Sequence, residues 1–312
     1  MKKELQSLFR DYIDYCVITK ELSPQTVRGY KEVGTLFFKI MPEVKYVEDL
    51  SHDVITKFFQ RLNNRKRLIG REYVIRDIKP STKRTYGSKL HSFFDWLMLR
   101  GDLMKNPITK GDLPKPDYSD KRALERQSID RILTSILEYS KNSFILKRDL
   151  ALVYVLLFCG VRRNELVSIK VLDIDLHKAS LIVRKETSKS KNTRILPLNA
   201  ATVRHIEDFL AERRRRNYKC EYLFTSSSQD SKLTVHGLKH IVDRLIKRSG
   251  VKFHIHRFRH SYACALVREK VGSVKLQKLM GHTDLRMTER YLRSLDIDDM
   301  RGDVEALSLD SF

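Results

Sequence analysis

The chain has 312 residues, 41% of them hydrophobic, which is enough for two domains with their own cores. Lys and Arg number 61 against 39 Asp and Glu, a formal net charge of +22, and this calls for a polyanionic partner, nucleic acid being the commonest for a soluble basic protein; a ribosomal protein or a membrane-surface binder would share that charge. No run of ~18 apolar residues is present, and the opening Met-Lys-Lys-Glu-Leu lacks an apolar segment with a small-residue cleavage site, so neither a membrane span nor a secretory leader is expected and a cytoplasmic location is.

Residues 2 to about 101 carry a helical pattern. Ser23 is placed to cap a helix whose first position is Pro24, where a missing N–H costs nothing, and Val27, Tyr30, Val33 and Phe37 then mark one apolar face. A longer helix follows Pro80, with Tyr86, Leu90, Phe93, Phe94 and Leu97 on one face and Lys83, Arg84 and Lys89 on another, the three candidates for DNA contact. Between these helices the basic, poorly periodic stretch Asn63-Asn-Arg-Lys-Arg-Leu-Ile-Gly-Arg reads as a surface loop, either solvated or touching DNA. About four helices with basic surfaces thus make an all-helical unit. Residues 102–122, with Pro107, Pro114 and Pro116 and little periodicity, read as a linker.

The second half is mixed. Ala151 to Phe158 is a nearly continuous apolar helix, Leu181-Ile-Val-Arg and Thr193-Arg-Ile-Leu-Pro-Leu read as two strands of a hairpin, and helical patterns return at 200–215, 235–249 and 257–271. The expected class is therefore mainly α with a small β-sheet, in two domains. Cys16, Cys159, Cys220 and Cys264 are scattered without a CxxC pair, so buried thiols are expected and neither a disulfide framework nor a zinc ribbon.

Phosphodiester chemistry without a metal needs cations on the non-bridging oxygens, a nucleophile and an acid for the leaving alkoxide. Arginine suits the first role, because its planar fork meets two phosphate oxygens and stays charged. Four segments hold the required groups. In Phe158-Cys-Gly-Val-Arg-Arg-Asn-Glu-Leu166 a helix breaks at Gly160 and places Arg162 at an exposed junction, with Glu165 three residues on to orient it. In His254-Ile-His-Arg-Phe-Arg-His-Ser-Tyr262, His256, Arg259 and His260 share a helical face; two histidines four apart also suit a metal, but Arg257 and Arg259 between them and the absence of an acid in the segment repel a cation. The turn Lys185-Glu-Thr-Ser-Lys-Ser-Lys-Asn-Thr-Arg194 offers Lys185, Lys189 and Lys191 as acids, or simply a solvated lysine-rich turn. Finally, in Gly281-His-Thr-Asp-Leu-Arg-Met-Thr-Glu-Arg-Tyr291, Tyr291 ends a short helix nine residues after His282. A phenol of pKa ~10 becomes a useful nucleophile only where cations stabilise the phenolate.

Together and in this order the four segments resemble the tyrosine recombinases, the family of phage integrases and Xer-type resolvases, whose active site joins a G-[LV]-R-x-x-E-L arginine, a hairpin lysine, an H-x-x-R-H box, an L-[LM]-G-H pair and a tyrosine nine residues beyond that histidine. The resemblance covers about residues 120–292 and, more loosely, the helical unit before them. It implies that Arg162 and Arg259 clamp a scissile phosphate, that His256 and His282 hydrogen-bond it and assist proton transfer, and that Lys189 protonates the 5′-oxygen leaving group. Lys189 is preferred to Lys185 and Lys191 because it stands five residues before Arg194, as the family's pattern implies. Tyr291 would attack to form a 3′-phosphotyrosine link that a 5′-hydroxyl can reverse, without ATP, metal or other cofactor. Cys159 stands where the family often has threonine, and Arg163 where an apolar or small residue is commoner; neither change removes a group the chemistry needs.

The resemblance also implies an organisation. Residues 1–105 would be a SAM-like core-binding domain, 106–122 a linker and 123–296 the catalytic domain, the two domains clamping the duplex from both sides, with no extra arm-binding domain, as in the Xer type. The acidic segment 297–312, with Val304, Leu307 and Leu309, would dock on a neighbouring subunit of a tetramer holding two paired DNA sites, or form a terminus without fixed structure. Two other functions fit the same residues less completely: a DNA-binding regulator that keeps the fold without using the tyrosine, and a relaxing topoisomerase of type IB.

Overall fold

A computed structural model describes residues 3–69, 72–75, 77–115, 123–188 and 192–292. The chain divides into two compact units, residues 1–117 and 118–312. Among the described residues no helix is long and apolar enough to cross a membrane.

The first unit is built from α1 (Leu5–Ile18), α2 (Pro24–Ile40), α3 (His52–Asn64), a hairpin of β1 (Lys66–Ile69) and β2 (Glu72–Ile75), and α4 (Pro80–Leu99). Helix α2 starts as its sequence dictates, with Ser23 Oγ accepting from the Thr26 N–H at 3.3 Å and Pro24 in the first turn. The apolar stripes of α1 to α4 meet in an aromatic core of Tyr12, Phe37, Phe58, Phe93 and Phe94. The basic stretch expected as a loop instead ends α3 and becomes the hairpin, in antiparallel register from Lys66↔Ile75 to Ile69↔Glu72. Its strands contain Arg-Leu-Ile and Tyr-Val-Ile, apolar and β-branched enough to pair, and the sequence between them, Gly70-Arg71, is of a kind that favours a turn. The described part of the expected linker also packs on this unit: Ile108 is buried, and the Asn106 side-chain amide donates to the His91 carbonyl at 3.1 Å and to Asp95 at 2.7 Å.

The second unit contains α5 (Arg126–Tyr139), α6 (Ser143–Cys159), α7 (Arg163–Ser168), β3 (Ile174–Asp175), β4 (Ser180–Val183), β5 (Arg194–Pro197), α8 (Ala200–Arg215), α9 (Val235–Ser249), α10 (Ile255–Arg268), α11 (Ser273–Met280) and α12 (Arg286–Leu292). The apolar stretch of α6 packs against α5, α8 and α10, and Ala151, Leu152, Val153, Val155 and Leu156 are all buried. Within its more polar first half, Asp149 pairs with both Arg148 and Arg244, the latter from α9. Strands β4 and β5 pair as expected, with Leu181 opposite Leu196 facing the core and Ile182 and Ile195 facing out. The two-residue strand β3 adds a third member beside β4, too short to leave a periodicity in the sequence. Mainly helical architecture with a small sheet is what the sequence led us to expect. Cys16, Cys159 and Cys264 are buried, whereas Cys220 is half-buried.

Candidate active site

The site is organised by the end of α11. Gly281 adopts the left-handed conformation, φ +60°, its N–H bonds to the Lys278 carbonyl at 3.1 Å, and the His282 N–H reaches back to the Gln277 carbonyl at 3.1 Å. This is a Schellman ending, which a glycine permits and which a side chain would strain. It explains why glycine precedes histidine here: the turn projects His282 sideways from the helix end.

Such an ending satisfies two carbonyls and leaves the next three without helical partners. Three arginines from distant segments take them one by one. Arg194 Nε donates to the Leu279 carbonyl at 3.1 Å, Arg259 Nη2 to the Met280 carbonyl at 2.5 Å, and Arg162 Nη2 to the Gly281 carbonyl at 3.1 Å. The negative pole of the helix favours them there. Arg259 is also held on its other side, Nη1 donating to the carbonyl of Gly160, the residue that ends α6 at φ +56°.

Two of these guanidiniums share one carboxylate. Arg162 is the N-cap of α7, and Glu165, three residues on, accepts its backbone N–H at 2.7 Å and its Nη1 at 2.9 Å. Arg194, at the start of β5, meets both Glu165 oxygens, at 3.1 and 2.8 Å. Burial alone would raise the Glu165 pKa; the hydrogen bond and charge of Arg194, then the backbone N–H and charge of Arg162, outweigh it and hold the carboxyl at about 2. Arg259 is pushed down to about 9, first by burial and then by the neighbouring Arg162, and stays cationic at neutral pH.

His282 joins this cluster to Tyr291. Its Nε2 lies 3.2 Å from Arg259 Nη2 and its Nδ1 2.9 Å from Thr288 Oγ1. A guanidinium can only donate, so Nε2 is the acceptor and the neutral ring carries its proton on Nδ1, facing Thr288. Tyr291, from α12, stacks on His282 and lies 5.1 Å, centroid to centroid, from the His260 ring. It is fully buried, in an apolar cluster with Tyr262, Val267, Leu276 and Met280.

Of the residues singled out in the sequence, Arg162, Arg259, His282 and Tyr291 thus share one neighbourhood. His256 sits one turn before Arg259 on α10 and is exposed. Lys189 and Lys191 lie outside the described residues, as does the segment 297–312. In the first unit, Lys83 lies over the Phe59 ring at 5.1 Å, Arg84 donates to the Pro114 carbonyl at 2.8 Å, and the Lys89 ammonium lies against Gly29, so all three are half-buried on α4. Sequence reasoning passed over Arg194 and Thr288. The first served only to fix the spacing of the lysine, and the second is an ordinary threonine until the fold turns it toward His282. Among the described residues no group of three or more His, Cys, Asp or Glu is arranged to hold a metal.

Two family models match the chain: the phage integrase family over residues 124–297, and the N-terminal SAM-like domain of phage integrases over residues 9–101. Similar proteins include the tyrosine recombinase XerD of Listeria monocytogenes, 27% identical over 299 residues that cover 92% of this chain and 94% of that protein. The tyrosine recombinase XerC of Oceanobacillus iheyensis is 25% identical and covers 92% of each. Among solved structures, the Tn1549 transposon integrase in complex with transposon right end DNA matches with a TM-score of 0.76 at 16% identity, over 98% of this chain and 99% of that one. The XerH site-specific recombinase bound to palindromic difH substrate matches at 0.71 and 19%, over 96% and 84%. These likenesses carry the two-domain fold, and the match over residues 124–297, more than half of the chain, carries the lineage: the protein belongs to the phage integrase family, the tyrosine recombinases, which break and rejoin DNA strands.

Proposed function

We propose that this chain is a site-specific recombinase in which Tyr291 is the nucleophile. The observation that carries this reading is the chain of contacts at the end of α11: Arg162 and Arg259 on its last carbonyls, His282 against Arg259, and Tyr291 stacked on His282. Arg162 and Arg259 exchange their carbonyl contacts for the non-bridging oxygens of the scissile phosphate, where their charge stabilises the transition state. The Tyr291 oxygen forms a bond to phosphorus as the bond to the 5′-oxygen breaks. Its proton leaves through the histidines, His282 and His256, which also hydrogen-bond the phosphate, and Lys189 supplies a proton to the 5′-oxygen. Attack by a 5′-hydroxyl of another strand reverses the step, and neither ATP nor a metal is required.

Residues 1–105 act as the core-binding domain, joined by 106–122 to the catalytic domain at 123–296. Lys83, Arg84 and Lys89 neutralise backbone phosphates without reading sequence. The protein works in the cytoplasm as a tetramer on two paired sites, with 297–312 docking on a neighbouring subunit. The DNA bound in the Tn1549 integrase and XerH complexes supports the choice of partner.

The test is a nicked suicide duplex: the unmodified protein forms an adduct that survives denaturation and persists in EDTA, and Tyr291→Phe forms none. DNA binding without any adduct would instead support a regulator, and supercoil relaxation without sequence preference a type IB topoisomerase.

A further inference from the structure

Arg194 is the third arginine at the end of α11, and nothing in the proposed chemistry uses it. It is nearly buried, spans both oxygens of Glu165, and donates to the Leu279 carbonyl. Its side chain also fills the space beside Gly281, where an added Cβ would lie 3.0 Å from Nη1 and 3.1 Å from Cδ. It therefore touches the carboxylate that orients Arg162 on one side and the turn that projects His282 on the other.

The charges give this placement a consequence. Glu165 stands between two guanidiniums, so the group of Arg162, Glu165 and Arg194 carries one net positive charge. Without Arg194, both oxygens of Glu165 face Arg162 alone, and the pair is neutral. A neutral ion pair is a poor ligand for a phosphate whose negative charge grows in the transition state.

We propose that Arg194 is a positioning residue: it occupies Glu165 so that Arg162 keeps its charge for the scissile phosphate, and it braces the Gly281–His282 turn. The inference rests on the reading of Arg162 as a phosphate ligand. It extends the site to β5, so one anchored residue serves both the α7 arginine and the histidine turn.

The experiment uses a duplex recovered as a covalent adduct of the unmodified full-length protein from a pool of nicked duplexes with randomised cores. Binding and single-turnover cleavage of that duplex are measured for the unmodified protein, Arg194→Met, Arg194→Lys and Arg194→Met/Glu165→Gln, together with thermal melting. Arg194→Met is expected to bind within about threefold of the unmodified protein and to cleave about 100-fold more slowly, the order of loss for a transition-state donor. Arg194→Lys, which keeps the charge and loses the fork, stays within about tenfold. Adding Glu165→Gln removes the charge that Arg194 balanced and restores the Met variant to within about tenfold of the unmodified rate.

An Arg194→Met rate equal to that of the unmodified protein, or a slow Met variant that melts normally and gains nothing from Glu165→Gln, overturns the inference. If Arg194→Met does not melt cooperatively, Arg194→Lys decides: a small loss supports the charge role, and a loss of about 100-fold with unchanged melting overturns it. Failure of the unmodified protein to yield any adduct, with Tyr291→Phe as control, sinks the phosphate-clamp reading beneath.

Discussion

His282 and Tyr291 stack with their rings 6.1 Å apart and 11° from parallel, and the tyrosine has no exposed surface. The residue proposed as nucleophile is thus kept from water. Tyr291→Phe keeps the ring that fills the apolar cluster and removes only the hydroxyl. Adduct formation is therefore expected to vanish while the melting temperature stays within about 2 °C, less than about 1 kcal/mol for this size; denaturing gels and calorimetry check the two halves.

Glu165 gives the fold an acid limit. Its carboxyl ionises at about 2 in the folded protein and near 4.5 when unconstrained, so the unfolded chain binds the proton more readily. The stability it contributes is complete above pH 4.5, declines below it, and is gone once pH has fallen through about 2. Urea unfolding between pH 6 and pH 3 checks this: Glu165→Gln is expected to be less stable than the unmodified protein at pH 6 and to show a shallower dependence on pH below 4.5.

Gly160 ends α6 in the left-handed region and its carbonyl holds Arg259. A Cβ there would lie 2.2 Å from the Tyr262 ring. Gly160→Ala therefore combines a conformational penalty with a forced ring shift, and is expected to cost about 2–4 kcal/mol and to slow cleavage by moving Arg259. Chemical denaturation and single-turnover rates measure the two effects.

Thr288 is fully buried, and its hydroxyl oxygen accepts the hydrogen bond from His282 Nδ1–H. Thr288→Val keeps the shape and loses the oxygen, so the ring loses the partner that fixes its tautomer. Cleavage is expected to fall about tenfold with little change in DNA affinity, and a fall in affinity with an unchanged rate would contradict this assignment.

For the α4 cations, the salt dependence of binding is the sensitive measurement. Replacing Lys83, Arg84 and Lys89 by alanine is expected to flatten the slope of log affinity against log salt by about 0.9 for each phosphate no longer neutralised. The weakening should be equal for specific and random duplexes.

Much of this was readable before any fold was in hand, and the reasons differ by residue. The helices at 200–215 and 235–249 coincide with α8 and α9 because each has an asparagine or threonine cap and an apolar stripe. Arg162, Arg259, His282 and Tyr291 stood out because a chemistry was sought and glycine turns marked where helices end. The hairpin at 66–75 escaped notice because Lys66, Arg67, Arg71 and Glu72 obscure the alternation of its apolar residues, although Gly70-Arg71 between two apolar runs is a turn signal. Arg194 and Thr288 were invisible for a deeper reason. Their partners, Glu165 and His282, lie across the fold or beyond a turn, and no local spacing encodes such a contact.

The ending of α11 has one more consequence, for local unfolding. An eight-residue helix ordinarily frays at its last turn, far below the free energy of global opening. Here the last turn is tied to residues 162, 194 and 259, so it opens only if α7, β5 and α10 let go together. The amides of Gly281 and His282 are therefore expected to exchange with solvent as slowly as the core of the second unit, making two backbone protons at the end of a short helix reporters of whether the whole site is assembled.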